Sequence, residues 1–167
     1  NLHVVEIRKK IVEHLSISSP ENLSGELVFL KVITDLERVG DYTKNILDLT
    51  TEIPEQLPDS DCLRRLKKLI PVVDDFFIRA ENGLFEGKNE DAEYVMDNNL
   101  TVNRTCQDIL SDLMRVENRP PWEVIALALA ARYFKRVGAH LKNVASTAVN
   151  PFPHIGYVVS DKDESEE

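Results

Sequence analysis

Glu37 and Asp41 are the residues of this sequence best placed to hold a charged ligand. They stand in the stretch Asp35-Leu36-Glu37-Arg38-Val39-Gly40-Asp41-Tyr42. On a helix their four-residue spacing stacks two carboxylates one turn apart on one face, with Cβ atoms about 5–6 Å apart. Acids so placed repel each other unless something positive lies between them. Carboxylate oxygens are hard donors suited to magnesium, manganese or iron, and two of them can share a cation. Two ligands make only part of a site, so neighbouring helices would have to complete it. The plainer reading is a solvated helix face, in which Lys44 pairs with Glu37 and Lys44 or Asn45 pairs with Asp41. Asp75, beside Asp74, and Asp97, beside Asn98 and Asn99, are weaker candidates of the same kind.

The same pattern returns later as Tyr133-Phe134-Lys135-Arg136-Val137-Gly138-Ala139-His140-Leu141-Lys142-Asn143-Val144. Arg136, Val137, Gly138, Lys142 and Asn143 each stand 98 positions after Arg38, Val39, Gly40, Lys44 and Asn45. A second match, at an offset of 102, sets Asn103, Asp108 and Ile109 against Asn1, Glu6 and Ile7. The chain therefore contains an internal repeat. The copies differ where it matters chemically: Lys135 answers Glu37 and Ala139 answers Asp41. An ammonium at 135 can supply the positive charge that a metal would supply in the other copy, so metal is expected in the first repeat only. His140 lacks acidic partners on its own helix and is expected to make an interhelical or surface hydrogen bond. Gly40 and Gly138 each cost a helix interior about 1 kcal/mol relative to alanine, which suggests close approach of a neighbouring helix.

Other chemistry is missing from the sequence. It holds no nucleophile–base–acid arrangement, no glycine-rich phosphate loop and no Cys/His zinc spacing. A di-metal bundle enzyme would need inward-facing Glu-x-x-His pairs, and none occurs. No catalysis is expected. A net charge of −9 argues against nucleic acid as a partner, since that affinity comes mostly from Lys and Arg, and favours a basic protein surface or a cation. No run reaches the roughly 18–20 apolar residues of a membrane span, and no signal-peptide pattern opens the chain. Cys62 and Cys106 lie in helical patterns and read as reduced, half-buried thiols. Without an initiator Met, the sequence reads as part of a longer product.

The elements that must position these residues are helices. Leu2, Val5, Ile7, Ile11 and Leu15 give a short amphipathic helix. Ser19-Pro20-Glu21 reads as the start of a second, running to about Thr51. A third, over 61–86, begins at the Asp59-Ser60-Asp61 caps and stops at Gly87, with a kink or break expected at Pro71. Asn89-Glu90-Asp91 opens a fourth, and an alanine-rich fifth runs from Pro121 to about Asn150. The acidic tail, 151–167, cannot bury enough apolar area to order itself. The expected organisation is a first repeat over 1–55 with two helices, and a second over 59–150 with three. The helix at 61–86 has no counterpart in the first repeat, and the simplest explanation is that a matching helix precedes Asn1.

Glu37-Arg38-Val39-Gly40-Asp41 followed by Asn45-Ile46, on the last helix of a repeated unit, resembles the signature of the PhoU family of phosphate-uptake regulators. Tyr42 stands where that signature has His, while the second copy keeps Arg136, Gly138, His140 and Asn143 but neither acid. The resemblance implies an all-α fold of two pseudo-repeated three-helix bundles, the first here lacking its leading helix. It implies metal, as iron or zinc-type clusters in some members, at Glu37 and Asp41. It also implies a non-enzymatic cytoplasmic regulator that binds a sensor histidine kinase and the ATPase of a phosphate transporter. Two rivals are a cytoplasmic domain of a sodium–phosphate or other ion transporter and a metal-dependent bundle enzyme. Self-association is left open.

Overall fold

In the computed structural model, residues 2–17 and 23–150 are described, and five helices account for most of them. They are α1 (Leu2–Leu15), α2 (Leu23–Glu52), α3 (Asp61–Glu86), α4 (Asn89–Leu113) and α5 (Pro121–Ser146), with no strand among the described residues. The expected Ser19-Pro20 start and the tail at 151–167 fall outside the described residues.

Local chemistry sets the helix ends. Ser60 is extended at φ −149°, and its hydroxyl accepts the Leu63 N–H at 3.3 Å to cap α3. Gly87 closes the same helix at φ 65°, a left-handed conformation that costs glycine least, and its N–H donates to the Asn82 carbonyl. Pro121 occupies the first turn of α5, where a missing N–H does no harm. The α5 helix stops at Ser146 and passes into a turn that carries the chain to Asn150. There the Ser146 and Thr147 hydroxyls donate back to the Asn143 and Val144 carbonyls, a local alternative to helix.

Of the kink or break expected at Pro71, the break does not form: α3 is continuous through it. Pro71 and Lys67, whose carbonyl loses its usual partner, both lie on the exposed side of the helix, where water can take the bond.

The α3, α4 and α5 helices pack on one another, α5 packs also on α2, and α1 packs on α2 alone. The core follows the same division. Phe76, Val95, Val102, Ile109 and Leu127 are essentially inaccessible, whereas α2 adds only Val32 and Val39 to the buried apolar cluster and α1 adds nothing.

The two long helices, α2 and α5, run antiparallel. Asp35 meets His140, and seven residues further along α2 Tyr42 meets Tyr133, seven residues back along α5. Moved by the 98-residue offset, each of these contacts becomes the other. The sequence repeat is thus built into the packing as a pseudo-two-fold relation between the long helices.

Candidate functional site

Glu37 does not face Lys44. It accepts an ion pair from Arg8 of α1, with Arg8 Nη2 2.6 Å from Glu37 Oε2, and the same guanidinium donates to the Thr34 hydroxyl at 3.3 Å. Asp41 is about half exposed and sits 3.4 Å from Arg38. Lys44 turns instead to Asp48 at 2.5 Å, and that hydrogen bond raises the lysine pKa above its ordinary value. The solvated-face reading was right about the kind of interaction and wrong about the partners. That reading covered one helix, while the cation at Glu37 comes from another.

Among the described residues no group of three or more His, Cys, Asp or Glu side chains is placed to hold a metal ion. Glu37 and Asp41 contribute two carboxylates, one already neutralised by Arg8. As they stand, they do not fit the metal that the resemblance implies. The weaker candidates are no better placed. Asp75 accepts from Arg79 Nε at 2.7 Å, while the other arm of Arg79 reaches Asp91 of α4 at 2.6 Å and its guanidinium lies 4.0 Å over the Tyr94 ring. This ties α3 to α4. Asp97 is exposed on α4.

The polar centre that sequence reasoning missed is Asp35. It is 2% exposed, at the crossing of α2 and α5. His140 Nδ1 lies 2.7 Å from its Oδ1, Asn143 Nδ2 donates to the same oxygen at 3.1 Å, and Lys31 donates to Oδ2 at 2.5 Å. Tyr42 stacks on the His140 ring, with centroids 5.8 Å apart and planes 18° apart. A buried carboxylate is tolerable only when its lone pairs are taken, and here three donors take them. The group orients the two long helices. With Lys31 on the carboxylate, it offers no open position for a ligand. The expectation for His140, an interhelical hydrogen bond, is met. The repeat offset turns this pair into Tyr133 and Tyr42, which also meet, but it gives equivalent positions and not contacts, so the sequence did not name the partner.

An apolar cavity of about 240 Å³ lies where the end of α2 meets α3 and α5, between Ile46, Leu49, Leu66, Ile70, Ala126 and Phe134. Lys67 is the one charged side chain on its wall, so no acid–base pair converges there.

Helix order, repeat and motif can now be set beside known proteins. The family model described as PhoU domain matches residues 3–50 and 66–148. The chain belongs to the PhoU family. No curated protein and no solved structure matches it. PhoU proteins are regulators linked to phosphate transport and form a non-enzymatic family of helical bundles, as the five helices here are. No described helix is long and apolar enough to cross a membrane.

Proposed function

We propose that this protein is a cytoplasmic regulator that restrains phosphate uptake and phosphate-starvation signalling by binding other proteins. The observation that carries this reading is the PhoU match over both halves of the chain. The partners are a sensor histidine kinase and the ATPase of a phosphate transporter, which compete for helical faces of the bundle. The net charge of −9 favours basic patches on those partners, where complementary fields speed encounter and set register.

Metal has a smaller part in this reading than the resemblance implies. Iron, zinc, manganese or magnesium at Glu37 and Asp41 would need Arg8 to leave and a partner to bring further ligands. No step of the regulation is routed through it.

The test is a phosphate-starvation reporter in cells whose own regulator has been deleted, leaving the reporter on. Supplying this chain is expected to switch it off in phosphate-rich medium. A reporter that stays on while the folded chain accumulates would count against the reading. Recovery of the native product only as a much larger membrane-bound species would move it to a transporter's regulatory domain.

A further inference from the structure

Near its start α5 carries small side chains where the other long helix carries larger ones. Ala126 and Ala130 stand 98 positions after Val28 and Val32. A small residue in a packed interior leaves space unless a neighbour closes in, and here none does: α2 and α3 each pack on α5 but not on one another. The space that remains is the cavity of about 240 Å³, floored by Ala126, Leu127, Ala130 and Phe134. Leu49 closes it on the α2 side and Leu63 and Leu66 on the α3 side. The connection between these helices adds Ile53 and Leu57 to the wall and leaves Glu55 and Gln56 exposed.

The wall carries a single charge. Lys67 and Ile70 line the cavity and are themselves exposed, so it opens along that edge of α3 with an ammonium at the mouth. The neighbouring cations are occupied: Arg64 pairs with Asp59 and Asp61, and Arg65 with Asp61 and Asp112. Lys67 has no ion pair among the described residues. Its neighbours three and four positions away on the helix are Leu63, Arg64, Ile70 and Pro71, none of them an acid. The one hydroxyl on the wall, that of Thr50, already donates to the Leu47 carbonyl at 2.7 Å.

Size and charge together describe a ligand. A dry apolar cavity of about 150 Å³ holds a six-carbon ring, so one of about 240 Å³ takes roughly nine or ten carbons by proportion. A phosphate head would ask for several donors, whereas one ammonium suits one carboxylate. We propose that the cavity between α2, α3 and α5 binds an unbranched fatty acid of about eight to ten carbons, its tail over Ala126 and Ala130 and its carboxylate on Lys67. Bound there, the tail joins α2 to α3 across the gap and ties the first half of the chain to the second. The site shares no residue with the Asp35 or Glu37 clusters, and the inference does not rest on the phosphate reading.

The experiment is calorimetric titration of the whole chain with hexanoate, octanoate, decanoate and dodecanoate, each kept below its micelle concentration. Affinity is expected to rise by up to about four-fold per added methylene as far as decanoate, at one ligand per chain, and to gain nothing at dodecanoate. Lys67→Glu, an exposed change compatible with folding, should weaken octanoate about five-fold or more while octanol binds as before. Ala130→Leu fills the floor and should remove decanoate binding with helical circular dichroism unchanged. Should that variant lose helicity, the chain-length limit and the Lys67→Glu result still decide. Three results would overturn the proposal: no saturable binding by any of the acids, octanoate binding indifferent to the charge at 67, or affinity that keeps rising past decanoate with more than one ligand per chain, as coating of exposed apolar surface gives.

Discussion

The two halves of this chain share a pattern and differ in what covers it. In the second half, α3 closes α4 and α5 into a three-helix bundle, and the apolar positions of the repeat disappear into a core. The first half has matching apolar positions on α1 and α2, and although Val39 is buried like its counterpart Val137, Ile7 and Phe29 remain at the surface and α1 buries no residue. A repeated sequence therefore does not guarantee repeated energetics. The same residue type contributes to stability in one copy and presents a surface in the other, and the neighbouring helix decides which.

Truncating the matched positions breaks this comparison most directly. Leu127→Ala is expected to cost about 2–5 kcal/mol, as removal of a fully buried side chain does. Phe29→Ala, its counterpart, should cost less than about 1 kcal/mol in spite of the larger side chain. Urea denaturation of the two variants measures both, and equal losses would show that the first half has a core of its own.

The cysteine in α4 sharpens the contrast through pH. Burial pushes the Cys106 thiol from 9.0 up to about 11, with Lys135 pulling weakly the other way. A folded pKa raised above the unfolded one gives stability that is complete below about pH 9 and is lost as pH rises towards 11. The loss should be on the order of 2–3 kcal/mol. Cys106→Val, which installs the residue that Val4 supplies at the matching place, should flatten the pH dependence over that range. At neutral pH Cys106 should resist thiol reagents until the chain unfolds.

The matched glycines separate the halves by a smaller amount. A Cβ on Gly138 would come within 2.9 Å of Asn99 Oδ1, an atom on a buried side chain, whereas one on Gly40 meets nothing within 4 Å. Gly40→Ala should therefore stabilise by about 1 kcal/mol through helix propensity. Gly138→Ala should fall short of that by about 1–2 kcal/mol, as Asn99 has to shift. Thermal melts of the pair give the difference.

The smallest effect concerns Arg8. Arg8→Ala removes a partly exposed pair and should cost below about 1 kcal/mol. It also frees Glu37, so equilibrium dialysis against manganese should find more retention in Arg8→Ala than in the parent chain. That gain should vanish in the triple variant with Glu37→Gln and Asp41→Asn. Equal retention in all three would place any metal elsewhere.

Much of the fold was legible in the sequence, because its signals are local. Ser60 and Gly87 bracket α3 by cap chemistry, and Pro121 opens α5. Of the two outcomes expected at Pro71, a kink or a break, the break was not met, because the cost of an interior proline depends on which way the freed carbonyl faces, and one helix read alone does not show that. The site was less legible. Glu37 was found by spacing, but its partner Arg8 belongs to α1, and Asp35, given no role from the sequence, acquires one only where α5 brings His140 and Asn143 to it. Pairings of this kind are set by packing between helices. The repeat offset relates one such pairing to another, but it yields neither until one of them is seen.

The claim at the centre of this account is that the chain works by binding proteins of phosphate uptake. The most direct test is co-purification of the tagged chain from phosphate-replete cells, with the sensor kinase and the transporter ATPase followed by immunoblot. Retention of either, lost on phosphate starvation, is the predicted result. A folded chain that retains neither in either condition would contradict it.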